Sequence, residues 1–159
     1  MKNLRTLFVC TGILLTQLCV HAQKQDHPVP VNQPDLYRDR LFQRLPDNIP
    51  VSITQLTGLL ATPIGNSVNI ELSDKSSLHF EGKVVSAAGK NGSRIQSIVI
   101  KSTNYVGANL TFSKTTLPDG TVSYSGRMVS FKHGDLLELK NQSGQFSFVK
   151  KNYYELVNE

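Results

Sequence analysis

The sequence has no tryptophan, and its two cysteines, Cys10 and Cys19, both fall within the first twenty residues. Beyond them no disulfide, thiolate zinc site or cysteine nucleophile can form, so an ordinary apolar core has to hold the fold. Long apolar runs are also lacking. Leu7–Val20 is interrupted by Thr and Gln, whereas spanning a bilayer takes about 20 residues. No Gly-x-Ser-x-Gly motif is present, and Ser125 in Tyr124-Ser125-Gly126 lacks the preceding glycine, so it reads as a strand serine. There is no repeat of fixed period and no sign of a second large domain.

What is present begins with a positive start at Lys2 and Arg5, an apolar middle, and Val20-His21-Ala22, which places a small residue before Gln23. That order predicts a cleavable export signal over residues 1–22 and a secreted or periplasmic product with no stable membrane insertion. A lipid anchor is disfavoured, because Val9 and Leu18 before the cysteines are not small. Removing the signal takes away Lys2 and Arg5 and no acid, lowering the formal charge of +5 by two. The remaining basic residues, among them Lys83, Lys101, Lys114, Lys140 and Lys151, are scattered rather than clustered. They read as a solvated surface and argue against a nucleic-acid partner. Residues 23–33, with Pro28 and Pro30, have too little apolar surface to order and read as a flexible leader in which His27 is a tail residue. Residues 34–159 are expected to form a single β-rich domain with N-terminal helices.

Periodicity divides that domain in two. Pro34-Asp35 suits a helix start, and Tyr37, Leu41 and Leu45, with Phe42 alongside, make an apolar stripe that ends at Pro46. Ser52-Ile53-Thr54-Gln55 fits a capping box with Val51 and Leu56 in the staple positions. Leu56, Leu59 and Leu60 make the buried face, and Thr62-Pro63 is the stop. From Ser67 the period becomes two. Val68, Ile70 and Leu72 alternate with polar residues, as do Leu78, Phe80, Gly82 and Val84. Ile98-Val99-Ile100 suggests a strand covered on both faces, with the helices as the cover. Leu110 to Leu139 contains the clearest hairpin, built on Leu117-Pro118-Asp119-Gly120: Pro118 presets φ, Asp119 bonds the backbone and Gly120 accepts positive φ. The shift of apolar residues from Val122, Tyr124 and Met128 to Val129 and Phe131 suggests a bulge or a strand bend near Gly126–Val129. All connections are short, so sequence neighbours should pair antiparallel. The fold class is therefore mainly β: an antiparallel meander of about seven strands, curled or partly open as a barrel, preceded by two short helices.

The candidate chemistry is thin. His79 and Glu81 lie two apart on one strand, and hence on one face, where they offer an acid–base pair or two metal ligands. His133 and Asp135, around Gly134, form a second such pair. A catalytic zinc site usually needs three protein ligands, so the two pairs would have to meet. Exposed alternation and a tight turn account for the same residues without chemistry. Tyr105, Tyr124, Arg127, Phe131, Tyr153 and Tyr154 offer a possible binding surface, although most rings on strands simply fill a core. Asn91, Asn109 and Asn141 head glycan-acceptor patterns that matter only in a eukaryotic secretory cell. No cofactor is expected.

The leader, with the block Leu117-Pro118-Asp119-Gly120-Thr121, Tyr124-Ser125-Gly126-Arg127, Gly134-Asp135, Glu138-Leu139 and Lys150-Lys151, resembles small secreted β-rich proteins of Bacteroidetes-type bacteria. The resemblance implies export and assigns no activity or site residue. The functional expectation is an exported, non-enzymatic module binding a protein, peptide or glycan at the cell surface or in the periplasm. Alternatives are a carrier with an apolar ligand in a barrel interior and a metal-assisted hydrolase using His79, Glu81, His133 and Asp135.

Overall fold

The computed structural model describes residues 39–73, 78–89 and 92–152. The expected signal, the leader, the first half of the first expected helix, Tyr153 and Tyr154 lie outside these residues. Eight strands follow one another: β1 (Asn48–Pro50), β2 (Ser67–Glu71), β3 (His79–Ala88), β4 (Ile95–Ser102), β5 (Asn109–Thr116), β6 (Val122–Ser130), β7 (Asp135–Gln142) and β8 (Gln145–Asn152). One helix, α1 (Ile53–Leu59), lies between β1 and β2. The strands form one antiparallel sheet in the order β1-β8-β7-β6-β5-β4-β3-β2, curled into a half-barrel. Only β1 leaves the meander, pairing with β8 through Ile49↔Phe148.

Alternation sends one face of every strand inward. Phe80, Ile98, Ile100, Leu110, Phe112, Met128, Leu137 and Phe148 are fully buried there, and Leu56 and Leu59 of α1 join the same core. The helix begins where expected, with the Ser52 hydroxyl accepting from the Gln55 N–H at 3.4 Å. Past Leu59 it tightens into three-residue turns, Leu60 N–H to Thr57 C=O at 3.1 Å and Thr62 N–H to Leu59 C=O at 2.9 Å, before Pro63 ends it. The second half of the capping box is not made. The Ser52 N–H instead donates to the Leu72 carbonyl at 3.4 Å, tying the helix start to the end of β2.

The hairpin tip follows the expected chemistry closely. Leu117 N–H donates to Thr121 C=O at 2.8 Å, Thr121 N–H donates to Asp119 Oδ1 at 2.9 Å, and Gly120 has φ +84°. Four expectations are corrected. The described part of the first expected helix, around Leu41 to Leu45, is a turn, because partners from across the sheet take its backbone groups. Asp135 accepts from the Leu41 and Phe42 amides, and Lys150 Nζ donates to the Gln43 and Leu45 carbonyls. An eighth strand, β1, was hidden by its three-residue length, by Pro46 just before it and by Pro50 at its end. The bulge lies at Val85 in β3, where Val84↔Ile100 is followed by Ser86↔Val99. By contrast β6 keeps one register with β5 from Val129 to Val122. Finally, Ile98 and Ile100 point into the core that Leu56 and Leu59 of α1 share, while Val99 is half-buried on the outer face, so β4 is fully covered on one side only.

Candidate functional site

A cluster of three titratable groups sits on the outer face where β2 ends and β3 begins. Register places Glu71 directly opposite His79 and Asn69 opposite Glu81. The imidazole therefore lies between two carboxylates, with Nδ1 2.8 Å from Glu71 Oε1 and Nε2 2.9 Å from Glu81 Oε1. Asn69 Nδ2 reaches the same Glu81 oxygen at 3.4 Å. Both ring nitrogens can donate only when the ring is charged, and this pushes the His79 pKa above its ordinary 6.5. The hydrogen bond to Glu81 is the main cause, with Glu71 adding to it and loss of hydration opposing it.

A loop buttresses this corner. Asn104 accepts from the Glu81 N–H at 3.0 Å and donates to the His79 carbonyl at 2.8 Å, so one side chain replaces a missing strand partner. Ser102 Oγ donates to the Glu81 carbonyl at 3.1 Å and accepts from the Tyr105 N–H at 3.0 Å. Tyr105 is half-buried, its ring packed edge-on against Phe42 at 5.7 Å. Burial and the charge of Glu71 push its phenol pKa above the ordinary 10.0.

The second expected pair does not act as a pair. His133 Nδ1 lies 2.7 Å from the hydroxyl of the fully buried Ser130, closing the β6–β7 turn. Asp135 points instead to the Leu41–Phe42 amides, with Arg40 Nη1 at 4.0 Å. Among the described residues no group of three or more His, Cys, Asp and Glu side chains is placed to hold a metal ion. Nor is any helix there long and apolar enough to cross a membrane.

Of the possible binding surface, Tyr124 is committed to packing: it stacks on Phe112 at 6.0 Å and meets Phe146 edge-on at 5.6 Å. Arg127 stands on the outer face, its Nη2 3.2 Å from Glu138, which Lys140 also reaches at 2.7 Å. Tyr124, Arg127 and Glu138 border a shallow groove of about 470 Å³ with Thr111, Ser125 and Val129, where the β6–β7 ladder stops at Arg127↔Glu138. Phe131 is partly exposed in the β6–β7 turn.

The two sheet edges differ in chemistry. β1 is three residues long and ends in Pro50, which has no N–H to offer, so it is a blunted edge. β2 is five residues long, has no proline, and among the described residues pairs on one side only. Val84 N–H donates to Asn66 C=O and Leu72 N–H to Leu78 C=O, so the even-numbered residues of this segment face β3. Antiparallel alternation then turns the N–H and C=O groups of Ser67, Asn69 and Glu71 outward, and all three side chains are exposed. No protein family, curated protein sequence or solved structure matches this chain.

Sequence reasoning found His79 with Glu81 but missed Glu71, Asn69 and Asn104. The first two follow only from the register across the β2–β3 turn. Asn104 follows only from where the β4–β5 loop lands.

Proposed function

We propose that this protein is an exported, non-enzymatic binding module that takes up an extended peptide segment of a partner protein as an added strand on β2. The observation that carries this reading is the asymmetry of the two sheet edges: β1 is blunted by length and Pro50, while β2 offers outward backbone groups at Ser67, Asn69 and Glu71. Strand addition takes affinity from main-chain hydrogen bonds and specificity from alternate side chains. On the inner side Ile70 is only partly buried, so an apolar residue of the incoming strand gains by covering it. The filled concave face, with Phe80, Phe112 and Phe148 fully buried, favours recognition at the edge over a ligand carried inside. Both His79 nitrogens are engaged by carboxylates, which favours binding over proton-transfer chemistry at that corner.

The test selects ten-residue peptides from a displayed library and measures them by calorimetry on the wild type and on Asn69→Pro. The Asn69 N–H faces outward, so proline removes an edge donor and spares every β2–β3 ladder bond. A loss of affinity of tenfold or more, with the fold retained, is the expected result. Peptides that bind Asn69→Pro as tightly as the wild type would overturn the edge reading.

A further inference from the structure

We propose that the Glu71–His79–Glu81 clamp is a proton-operated latch on the edge strand: with the ring charged β2 is held in register, and with the ring neutral β2 loosens. Its consequence for peptide docking rests on the function proposed above; the latch itself does not.

Donor count separates the two states of the ring. A neutral imidazole has one N–H and one lone pair, yet both ring nitrogens of His79 lie 2.8–2.9 Å from carboxylate oxygens. In the neutral ring one nitrogen lone pair would face a carboxylate oxygen, so that contact turns from a charge-assisted hydrogen bond into a repulsion. Among the described residues the charged groups around the ring are few. From β2 comes Glu71 and from β3 comes Glu81; the β4–β5 loop contributes the uncharged Asn104 and the phenol of Tyr105. Lys83, opposite Lys101, lies one step further along β3. With the ring protonated the Glu71, His79 and Glu81 set carries one net negative charge, and with it neutral it carries two.

Position makes this corner matter for β2. Glu71 is the last residue of the strand, and the next residue, Leu72, carries both the closing bond to Leu78 and the bond from Ser52. β2 is only five residues long and among the described residues has one neighbour strand, so the contacts at its end are a large share of what holds it there. Since the folded His79 pKa lies above its unfolded value, the stabilisation is complete below about pH 6.5 and is lost as pH rises through the folded pKa.

The experiment is native-state amide exchange on the whole protein from pH 5.5 to 8.5, each rate divided by its intrinsic chemical rate. The reporters are the Val68, Ile70 and Leu72 amides, which face β3. Their opening should rise about two- to fivefold with pH, the range that exposed ion pairs carry, and should stay flat in His79→Gln and in Glu71→Gln with Glu81→Gln. A pH-independent opening in the wild type, or the same rise in His79→Gln, overturns the latch whether or not peptides bind. A latch that responds while Asn69→Pro leaves peptide affinity unchanged supports the latch and removes its role in docking.

Discussion

Asp135 separates a structural carboxylate from a chemical one, and its removal can be worked through in numbers. The side chain is 7% exposed, and its Oδ2 accepts from two consecutive backbone amides, Leu41 and Phe42, more than ninety positions earlier in the chain. Phe42 is itself buried at 1% exposure, and the turn carries its ring into the core beside Tyr105. A hydrogen bond to an ionised group contributes about 1.5–3 kcal/mol, and a buried amide left without a partner costs about 1–3 kcal/mol. The Phe42 contact, at 3.4 Å, is long and adds only about 0.5 kcal/mol. Asp135→Ala should therefore destabilise the fold by about 3 kcal/mol. Asp135→Asn keeps one acceptor without the charge and should cost about half as much. With a urea slope of about 1.5 kcal/mol/M, the alanine variant unfolds about 2 M earlier at unchanged slope. Arg40→Ala, which removes a half-exposed partner at 4.0 Å, should shift stability by less than about 0.5 kcal/mol. An alanine variant within about 0.5 kcal/mol of the wild type would refute the capping role.

Two further predictions concern the sheet. A Cβ at Gly82 would stand 2.7 Å from both the Lys101 carbonyl oxygen and Ile100 Cγ2, so Gly82→Ala should lose about 1–3 kcal/mol in a urea titration, despite relieving the entropic cost of glycine. Retained stability there would mean that β3 and β4 are not so closely apposed. Glu138 is held below its ordinary pKa of 4.5, chiefly by the Lys140 hydrogen bond and then by Arg127. Its stabilisation is present above that value and lost as pH falls through the folded pKa, so Glu138→Gln should flatten the acid limb of a stability-versus-pH curve. An unchanged acid limb would assign acid loss to other carboxylates.

Much of the architecture was legible because it rests on short-range rules. The hairpin tip at Leu117–Thr121 uses the φ preferences and side-chain acceptor that Pro-Asp-Gly carries in any context, and Ser52 caps α1 from three residues away. The alternation of Leu110, Phe112 and Met128 assigned faces because strand geometry has a period of two. The expected bulge near Gly126–Val129 misread half-buried Val129 as a core residue, whereas the actual one at Val85 leaves an exposed valine that looks like ordinary alternation. The described part of the first expected helix is a turn for a different reason. Leu41, Phe42 and Leu45 do pack on the core, but Asp135 and Lys150 offer this backbone better partners than the next turn of helix would.

The sequence by itself therefore determined the strand-rich class, the antiparallel neighbours, the turn chemistry and the capped helix, since each depends on residues within a few positions of one another. Tertiary structure alone decided which side chains share a corner. His79 meets Glu71 through the β2–β3 register, Asn104 arrives from a loop twenty-five positions from His79, and Asp135 turns away from His133 to hold a segment ninety-four positions earlier. It also decided which edge lacks a partner strand among the described residues, because β1 joins β8 through three residues that carry no strand pattern of their own. Contacts of that span depend on how the whole sheet curls, and no local preference encodes that curl.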